Sequence, residues 1–232
     1  MNGRTGEIVL EMGPKINERM SPCSTFKIPL SLLGFEAAVL KGETSPVWGF
    51  QEGYDDWLPS WRAAQNPQSW MKCSCIWYSK LLSFQLGIEA IQNFLSSIEY
   101  GNRDLSEGLI PPGPIAPFWI NSTLAISPIE QVKFIQKMIR GDLPISFFPI
   151  QMTKSLLFKE ELPHGWKLFG KTGWSGTKMD KSEWEHSWYV GWIEKGGDFY
   201  PFAYLIRGEK IDLDQRIPRV KALLLGSILA AS

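Results

Sequence analysis

Apolar residues follow Ser24 for about four helical turns, and they do not keep to one face. They are Phe26, Ile28, Leu30, Leu32, Leu33, Phe35, Ala37, Val39 and Leu40. Such coverage of nearly the whole helix circumference is typical of a helix buried at the centre of a domain. Pro29 lies near the first turns, where proline is tolerated. The rest of the chain must therefore surround this helix.

The patterns elsewhere predict the surrounding elements. Helices are predicted over residues 70–86, 88–98, 127–140 and 217–231. In the third of these, Ser127 is the expected N-cap and Glu130 completes a capping box, with Ile129, Val132, Ile135, Met138 and Ile139 as the apolar face. Strands are predicted over residues 7–11, after a turn at 3–6, and over 166–173, 187–193 and 199–206.

This order of elements predicts an α+β fold. We expect an antiparallel sheet flanked by N- and C-terminal helices, with a helical lobe inserted between them. The single domain would span residues 1–232, with a sheet lobe at about 1–35 and 146–232 and a helical lobe at about 36–145. No partner strand precedes residues 7–11, so the sheet is expected to lack its first strand. The active site should lie where the lobes meet.

Charge and hydropathy exclude several kinds of partner. Lys plus Arg and Asp plus Glu each number 24, so the formal net charge is zero. This balance predicts neither a nucleic acid partner nor an anionic membrane partner. The N-terminus lacks an apolar signal region and no later segment is long and apolar enough to span a bilayer, so we expect no export signal and no membrane span. The expected partner is therefore a small neutral or anionic ligand.

The residues that usually bind metals are few. Cys23, Cys73 and Cys75 have neither the number nor the spacing of a disulfide framework or a zinc site. His164 and His186 each lack a neighbouring second ligand, so we expect structural or surface roles for both. The sequence therefore predicts no metal and no Ser-His-Asp triad.

Ser24-Thr25-Phe26-Lys27 pairs a hydroxyl with an amine. Residues three apart on a helix share a face, so Lys27 can reach Ser24. A serine hydroxyl needs a neighbouring base to become a nucleophile, and Lys27 can be that base only if burial or modification removes its positive charge. An amphipathic helix can also contain this pattern by chance.

Lys171-Thr172-Gly173 lies on a predicted strand whose edge can pair with an extended ligand that carries an amide. Gly173 allows close ligand approach, and Lys171 supplies a cation. The alternative is an ordinary exposed hairpin position.

Together these motifs resemble one family. Ser24-Thr25-Phe26-Lys27, Ser74-Cys75-Ile76, Tyr100-Gly101-Asn102 and Lys171-Thr172-Gly173 occur in the order of the class D (oxacillinase-type) serine β-lactamases, which are penicillin-recognising serine enzymes. The resemblance continues through Trp70-Met71-Lys72, Phe118-Trp119-Ile120, Trp188-Tyr189-Val190-Gly191-Trp192 and Arg216. It covers nearly the whole chain and implies that the chain opens the ring of penicillin-type antibiotics and confers resistance.

The resemblance also implies roles for the catalytic residues. Ser24 is acylated by the lactam carbonyl, and Lys27 is a carbamate, formed with carbon dioxide, that serves as base for acylation and deacylation. Ser74 links Lys27 to Lys171 and helps to pass a proton to the departing ring nitrogen. Carbon dioxide is the only added group, and no other cofactor is implied.

Further roles follow from the same resemblance. Backbone N–H groups of Ser24 and Trp174 form the oxyanion hole. Trp119 hydrogen-bonds the carbamate and Ile76 is one of its apolar walls. The substrate-binding residues are Thr172, Gly173 and Arg216, of which Thr172 and Arg216 hold the substrate carboxylate. Tyr100-Gly101-Asn102 shapes the site.

Two rival functions stay open. One is a β-lactam-sensing domain that remains acylated, and the other is a D,D-peptidase that acts on cell-wall peptides. Ser74-Cys75-Ile76 and Phe118-Trp119 favour the class D hydrolase over the peptidase. The resemblance further implies a periplasmic or secreted protein, a monomer or homodimer, with β-lactams as its small-molecule partners.

Overall fold

The computed structural model describes residues 1–108, 117–120, 122–176 and 185–227. The helices are α1 (Lys27–Glu36), α2 (Pro67–Cys73), α3 (Ile76–Leu86), α4 (Ile88–Ser97), α5 (Pro128–Arg140), α6 (Phe147–Leu157) and α7 (Arg216–Ser227). The strands are β1 (Phe158–Leu162), β2 (Trp166–Trp174), β3 (Glu185–Lys195) and β4 (Asp198–Gly208), and they form an antiparallel sheet in the order β1-β2-β3-β4. The predicted α+β class, with an antiparallel sheet and helices around it, is confirmed.

The sheet is covered on both faces because successive side chains of a strand point to opposite sides. On one face, Trp188, Val190 and Trp192 of β3 belong to the large core that also contains α1. On the other face, Tyr189 and Ile193 pack in a second cluster with Val220 and Leu224 of α7. The sheet therefore lies between the first and last helices of the chain.

Helix α1 is buried as predicted, but it ends at Glu36 and does not continue to Leu40. Ala38 has a positive φ of 54°, and the backbone N–H of Leu40 donates to the carbonyl oxygen of Gly34 at 2.9 Å. A Cβ at residue 34 would lie 2.9 Å from the Leu40 side chain. The chain thus reverses after Glu36, and the Leu40 side chain packs against Gly34 of α1 instead of extending the helix.

The continuous helix predicted over residues 70–86 is wrong. Ser74 adopts the left-handed conformation (φ 61°, ψ 31°) and ends α2, and the chain extends at Cys75 before α3 begins at Ile76. The break places Ser74 on a turn between two helices.

Helix α5 confirms the predicted cap: the Ser127 side chain accepts from the backbone N–H of Glu130, and the Glu130 side chain accepts from the backbone N–H of Ser127. Its buried face is rotated from the predicted one, and consists of Gln131, Phe134, Ile135 and Met138. Helix α6 and strand β1 were not predicted at all.

The three predicted C-terminal strands are confirmed as β2, β3 and β4. The strand predicted over residues 7–11 is wrong, since this segment is irregular and Ile8, Val9 and Leu10 are exposed. The preceding turn forms, and it places Gly3 against β4, where its backbone N–H donates to the carbonyl oxygen of Phe199 at 2.8 Å. Within the described residues no strand precedes α1.

Helix α7 confirms the predicted C-terminal helix up to Ser227, and residues 228–231 of that prediction lie outside the described residues. The division into two lobes stays a prediction. In the part of the chain that the structure describes, no helix is long and apolar enough to cross a membrane.

Candidate active site

Ser24 lies in a tight turn at the start of the buried helix. The turn is a 3-10 helix, Cys23–Phe26, which runs directly into α1. Cys23 has a positive φ of 50°, and the side chain of Thr25 donates to the carbonyl oxygen of Pro22 at 2.6 Å. Ser24 is half-buried, whereas its two neighbours in sequence are buried. Residues 21–24, which lead into this 3-10 helix, are called the nucleophile turn below, after the role that the resemblance implies for the partly exposed Ser24.

Lys27 reaches Ser24 as the helical spacing predicts. Its Nζ lies 3.3 Å from Ser24 Oγ. The side chain is almost fully buried, at 1% exposure, and the loss of water around the ammonium lowers the pKa of Lys27 to about 8. Burial therefore moves Lys27 toward the condition that the sequence left open, because a pKa of about 8 leaves about a tenth of the amine uncharged at pH 7 and about half at pH 8.

The lowered pKa of Lys27 predicts a pH-dependent stability. An unfolded lysine titrates near ~10.4, so between about pH 8 and that value the unfolded chain binds more protons at this position, and the contribution of Lys27 to stability rises with pH. We expect Lys27→Met to be more stable than the wild type at pH 7, by on the order of 3 kcal/mol. The difference should shrink toward pH 10.

Urea unfolding of both proteins at several pH values in buffer free of carbon dioxide measures this difference. Comparing the two proteins removes the contributions of titrating groups that do not interact with Lys27; Lys171, whose pKa the charge of Lys27 lowers, is the group that does not cancel. A difference that stays constant from pH 7 to pH 10 contradicts the depressed pKa of Lys27.

Lys171 and Ser74 form the second hydroxyl and amine pair. Lys171 Nζ donates to Ser74 Oγ at 2.9 Å and to the carbonyl oxygen of Thr172 at 3.0 Å. Burial and then the nearby positive charge of Lys27 lower the pKa of Lys171 well below its usual value. The resemblance implies that Ser74 links Lys27 to Lys171. The structure brings Ser74 and Lys171 into hydrogen-bond contact. In the described part of the chain, the hydrogen bond of Lys27 Nζ is to Ser24.

Gly173 holds strand β2 against the nucleophile turn. A Cβ at this position would lie 2.9 Å from the carbonyl oxygen of Pro22 and 3.2 Å from the backbone nitrogen of Ser24. The close approach that requires glycine here is therefore to the chain itself. The Trp174 backbone follows at the end of β2, opposite Ser187, and the Trp174 side chain is exposed with its Nε1 donating to Glu185 at 3.0 Å.

The predicted carboxylate subsite gathers at the same end of β2. Thr172 is half-buried on the strand. Arg216, the first residue of α7, points its Nη1 to the carbonyl oxygen of Gly173 at 3.3 Å and to Ser187 Oγ at 2.9 Å. Burial lowers the pKa of Arg216, although a guanidinium stays charged in proteins. The structure thus brings a cation from α7 to the strand edge.

Trp119 packs against Phe26, which precedes Lys27, and carries a buried polar atom without a hydrogen bond to the described residues. The side chain is 1% exposed, and within the described residues its Nε1 has no hydrogen-bond partner. Its ring stacks on Phe26, the neighbour of Lys27, with a centroid separation of 5.6 Å. Ile76 is buried at the start of α3. A buried donor without an acceptor is costly, so this indole fits a site that receives an anionic group.

The comparisons with known proteins agree with the geometry. Residues 1–225 match the profile of the penicillin binding protein transpeptidase domain family. The β-lactamase OXA-9 of Klebsiella pneumoniae is 33% identical over 217 residues, which cover 90% of this chain and 78% of that protein. The crystal structure of the OXA-427 class D β-lactamase is similar with a TM-score of 0.86 at 30% identity, covering 98% of each chain. The chain belongs to the class D serine β-lactamase family.

One relative of this class D chain is a receptor. The C-terminal domain of the Bacillus licheniformis BlaR penicillin-receptor has a TM-score of 0.78 at 27% identity, covering 91% of this chain and 80% of that one. The same fold therefore occurs in proteins that are named β-lactamases and in one that is named a receptor. Similarity of fold does not give the deacylation rate.

Two residues to which the sequence assigned no catalytic or binding role contact this class D site: His186, expected to be structural or on the surface, and Ser187 of a predicted strand. His186 is buried, with its Nε2 at 2.8 Å from the carbonyl oxygen of Ser21 in the nucleophile turn, and Trp188 Nε1 donates to the same oxygen at 2.9 Å. Ser187 contacts Arg216. Ser187 lies opposite Trp174 in the pairing of β2 with β3, and the backbone N–H of Ser175 donates to the carbonyl oxygen of His186, so the register of this hairpin is the signal that could have found both residues.

The third class D motif, Tyr100-Gly101-Asn102, has the contacts of a shaping element. The Asn102 side chain donates to the carbonyl oxygen of Thr123 at 2.7 Å and accepts from the backbone N–H of Ala125 at 2.9 Å. A Cβ at residue 101 would lie 2.2 Å from the Ala125 carbonyl oxygen. The motif therefore binds two loops together.

Among the described residues, no group of three or more His, Cys, Asp or Glu side chains is arranged to hold a metal ion.

Proposed function

We propose that this class D serine β-lactamase hydrolyses penicillin-type antibiotics through an acyl-enzyme on Ser24, with Lys27 as its base. The observation that carries the proposal is the convergence of two buried lysines on two hydroxyls, with Nζ to Oγ distances of 3.3 Å for Lys27 and Ser24 and 2.9 Å for Lys171 and Ser74. Low polarity around Lys27 favours its uncharged form, which it needs to accept the proton of Ser24, and low polarity around Lys171 makes its ammonium form a readier proton donor to Ser74.

In the acylation step, the hydroxyl proton of Ser24 passes to the Lys27 side chain while Oγ bonds to the lactam carbonyl carbon. The carbonyl oxygen becomes an oxyanion, for which the backbone N–H groups of Ser24 and Trp174 are the proposed donors. A Cβ at residue 173 would lie 3.2 Å from the Ser24 backbone nitrogen, so the end of β2 runs next to Ser24, and this proximity supports the role.

Ring opening breaks the bond between the carbonyl carbon and the lactam nitrogen, and this nitrogen must receive a proton. Ser74 is the proposed donor, and Lys171 replaces its proton through their 2.9 Å hydrogen bond. The proton that Lys27 took from Ser24 then replaces the one that Lys171 gave up, so Lys27 is again free to act as a base. Lys27 takes a proton from a water molecule as the water oxygen bonds to the ester carbonyl carbon, and this proton passes to Ser24 Oγ when the bond between the carbonyl carbon and Oγ breaks. The half-buried position of Ser74 on its turn supports the role.

The Lys27 environment fits a carboxylated side chain. Uncharged amines react with carbon dioxide, and the buried indole Nε1 of Trp119 offers a donor to the resulting anion. When present, such a carbamate supplies an anionic base for both steps. Trp119 would hold it by hydrogen bonding, and Ile76 would exclude water on one side.

The substrate carboxylate is the proposed ligand of Arg216, with Thr172 and Gly173 on the strand beside it. The proposed setting is the periplasm or the cell exterior, where hydrolysis of β-lactams confers antibiotic resistance. We propose a monomer or homodimer whose partners are small β-lactams, without nucleic acid or membrane.

Nitrocefin turnover tests whether the protein is a hydrolase or a sensor. We expect the chromophore to form well beyond one equivalent of enzyme, at a constant rate after any burst, because a base beside Ser24 can also activate the deacylating water. Stopped-flow absorbance with a known concentration of active sites measures the number of turnovers.

The control for this experiment is the mass of the protein at the end of the reaction. A signal that stops at one equivalent, with a lasting adduct on Ser24, overturns hydrolysis in favour of a sensor. No adduct and no turnover, together with cleavage of D-Ala-D-Ala peptides, favours the peptidase.

A further inference from the structure

We propose that Ser187 is a positioning residue, whose hydroxyl orients the Arg216 guanidinium so that Nη2 alone faces the ligand carboxylate. The inference rests on the proposed role of Arg216 and extends it to a residue outside the family motifs quoted above. Ser187 lies on β3 opposite Trp174 and is fully buried.

Both hydrogen-bonding directions of the Ser187 hydroxyl are used. Oγ donates to the carbonyl oxygen of Gly173 at 3.0 Å and accepts from Arg216 Nη1 at 2.9 Å. A hydroxyl carries one donated hydrogen, so its commitment to Gly173 leaves its lone pairs directed to the guanidinium. The strand backbone at residue 173 therefore fixes the hydroxyl, and the hydroxyl fixes Arg216.

The guanidinium of Arg216 makes three hydrogen bonds to residues that the structure describes. Its Nε donates to the carbonyl oxygen of Leu213 at 2.8 Å, and its Nη1 donates to Ser187 and to Gly173. Arginine has five N–H groups, so the two on Nη2 remain, and no hydrogen bond to them occurs in the described part of the chain.

This arrangement restricts how Arg216 can bind an anion. The parallel two-nitrogen contact that arginine often makes with a carboxylate needs Nη2 together with Nε or Nη1, and both of these are already occupied. A carboxylate would therefore bind Arg216 through Nη2 alone. Because the side chain is held in advance, binding does not have to order it.

A double-mutant cycle tests the inference with benzylpenicillin as the probe. Ser187→Ala should raise KM by about fivefold and leave kcat nearly unchanged, because a neutral acceptor of one charged donor is removed. Arg216→Ala should raise KM more. In the Arg216→Ala background, Ser187→Ala should have no further effect, since no guanidinium remains to be positioned.

Ser31→Ala is the matched control, because Ser31 is also fully buried and its hydroxyl also makes two hydrogen bonds, to Ile28 and Thr153. It should leave KM unchanged. If Ser187→Ala does not fold, Ser187→Cys keeps a side chain of similar size with a weaker donor and acceptor, and it should raise KM in the same direction.

The outcomes separate the inference from the function on which it rests. An effect of Ser187→Ala that persists in the Arg216→Ala background overturns the positioning role, because it shows a contribution independent of Arg216. Unchanged KM in Ser187→Ala with raised KM in Arg216→Ala also overturns it, while the role of Arg216 survives. Unchanged KM in Arg216→Ala overturns both, although hydrolysis at Ser24 stands.

Discussion

Ser24→Ala is expected to abolish penicillin hydrolysis and covalent labelling together, with kcat reduced by about a thousandfold or more. The loss should be nearly complete because Ser24 Oγ is the hydroxyl within reach of Lys27, at 3.3 Å. Mass spectrometry of the wild type mixed with a penicillin should add one ligand mass to a peptide that contains Ser24. The variant should show no adduct.

The variant should remain folded, since Ser24 is half-buried and its side chain makes no contact that fills the core. Thermal unfolding checks this, and Ser31→Ala again supplies a matched loss of a hydroxyl, in the helix that follows the Ser24 turn, that should leave labelling intact. An adduct on any residue other than Ser24 would contradict the assignment of the nucleophile.

Trp119→Phe is expected to slow deacylation by about a hundredfold, so that acyl-enzyme accumulates during turnover. Phenylalanine removes the buried Nε1 donor while it keeps a ring that can stack on Phe26, whose centroid lies 5.6 Å away. The loss of the donor should weaken the retention of a carboxylated Lys27. Trp119→Ala should have the same direction of effect, with an added loss of packing.

Two measurements check the Trp119 prediction. Intact-protein mass spectrometry follows the acyl-enzyme, and nuclear magnetic resonance with ¹³C-labelled bicarbonate follows the carbamate signal of Lys27 in the absence of substrate. Wild-type turnover should fall in degassed acidic buffer and recover with added bicarbonate, because protonation of Lys27 below its pKa of about 8 removes the reactive amine. Trp119→Phe should need more bicarbonate for the same recovery.

Trp70→Phe is the matched control, because Trp70 is also fully buried and its Nε1 donates to Ser79 at 2.8 Å in the helical part of the core. It should lower stability without accumulation of acyl-enzyme. Indifference of wild-type turnover to bicarbonate, together with a missing carbamate signal at neutral pH, would falsify the carboxylation of Lys27.

The sequence predicted those parts of the fold whose signals are local. The cap at Ser127 and Glu130 is contained in four consecutive residues, and strand β2 is predicted by its own composition. The pairing of Ser24 with Lys27 depends on one helical turn, so it too was predictable. The order of the four motifs then identified the family.

The remaining features depend on residues far apart in the chain. Ser74 has neither glycine nor proline beside it, yet it adopts a left-handed conformation that breaks the predicted helix. No local pattern predicts the contact between Arg216 and Gly173, which are 43 positions apart. The burial that makes Lys27 a candidate base likewise comes from the assembled core, and not from the helix that carries it.

The contact of Gly173 with the nucleophile turn limits how this enzyme can evolve. A side chain at residue 173 would meet the Pro22 carbonyl oxygen and the Ser24 backbone nitrogen, so a substitution there is expected to displace Ser24. Trp174, the next residue, has an exposed side chain at the end of the same strand. Side-chain changes at residue 174 are therefore expected to accumulate more readily than changes at residue 173.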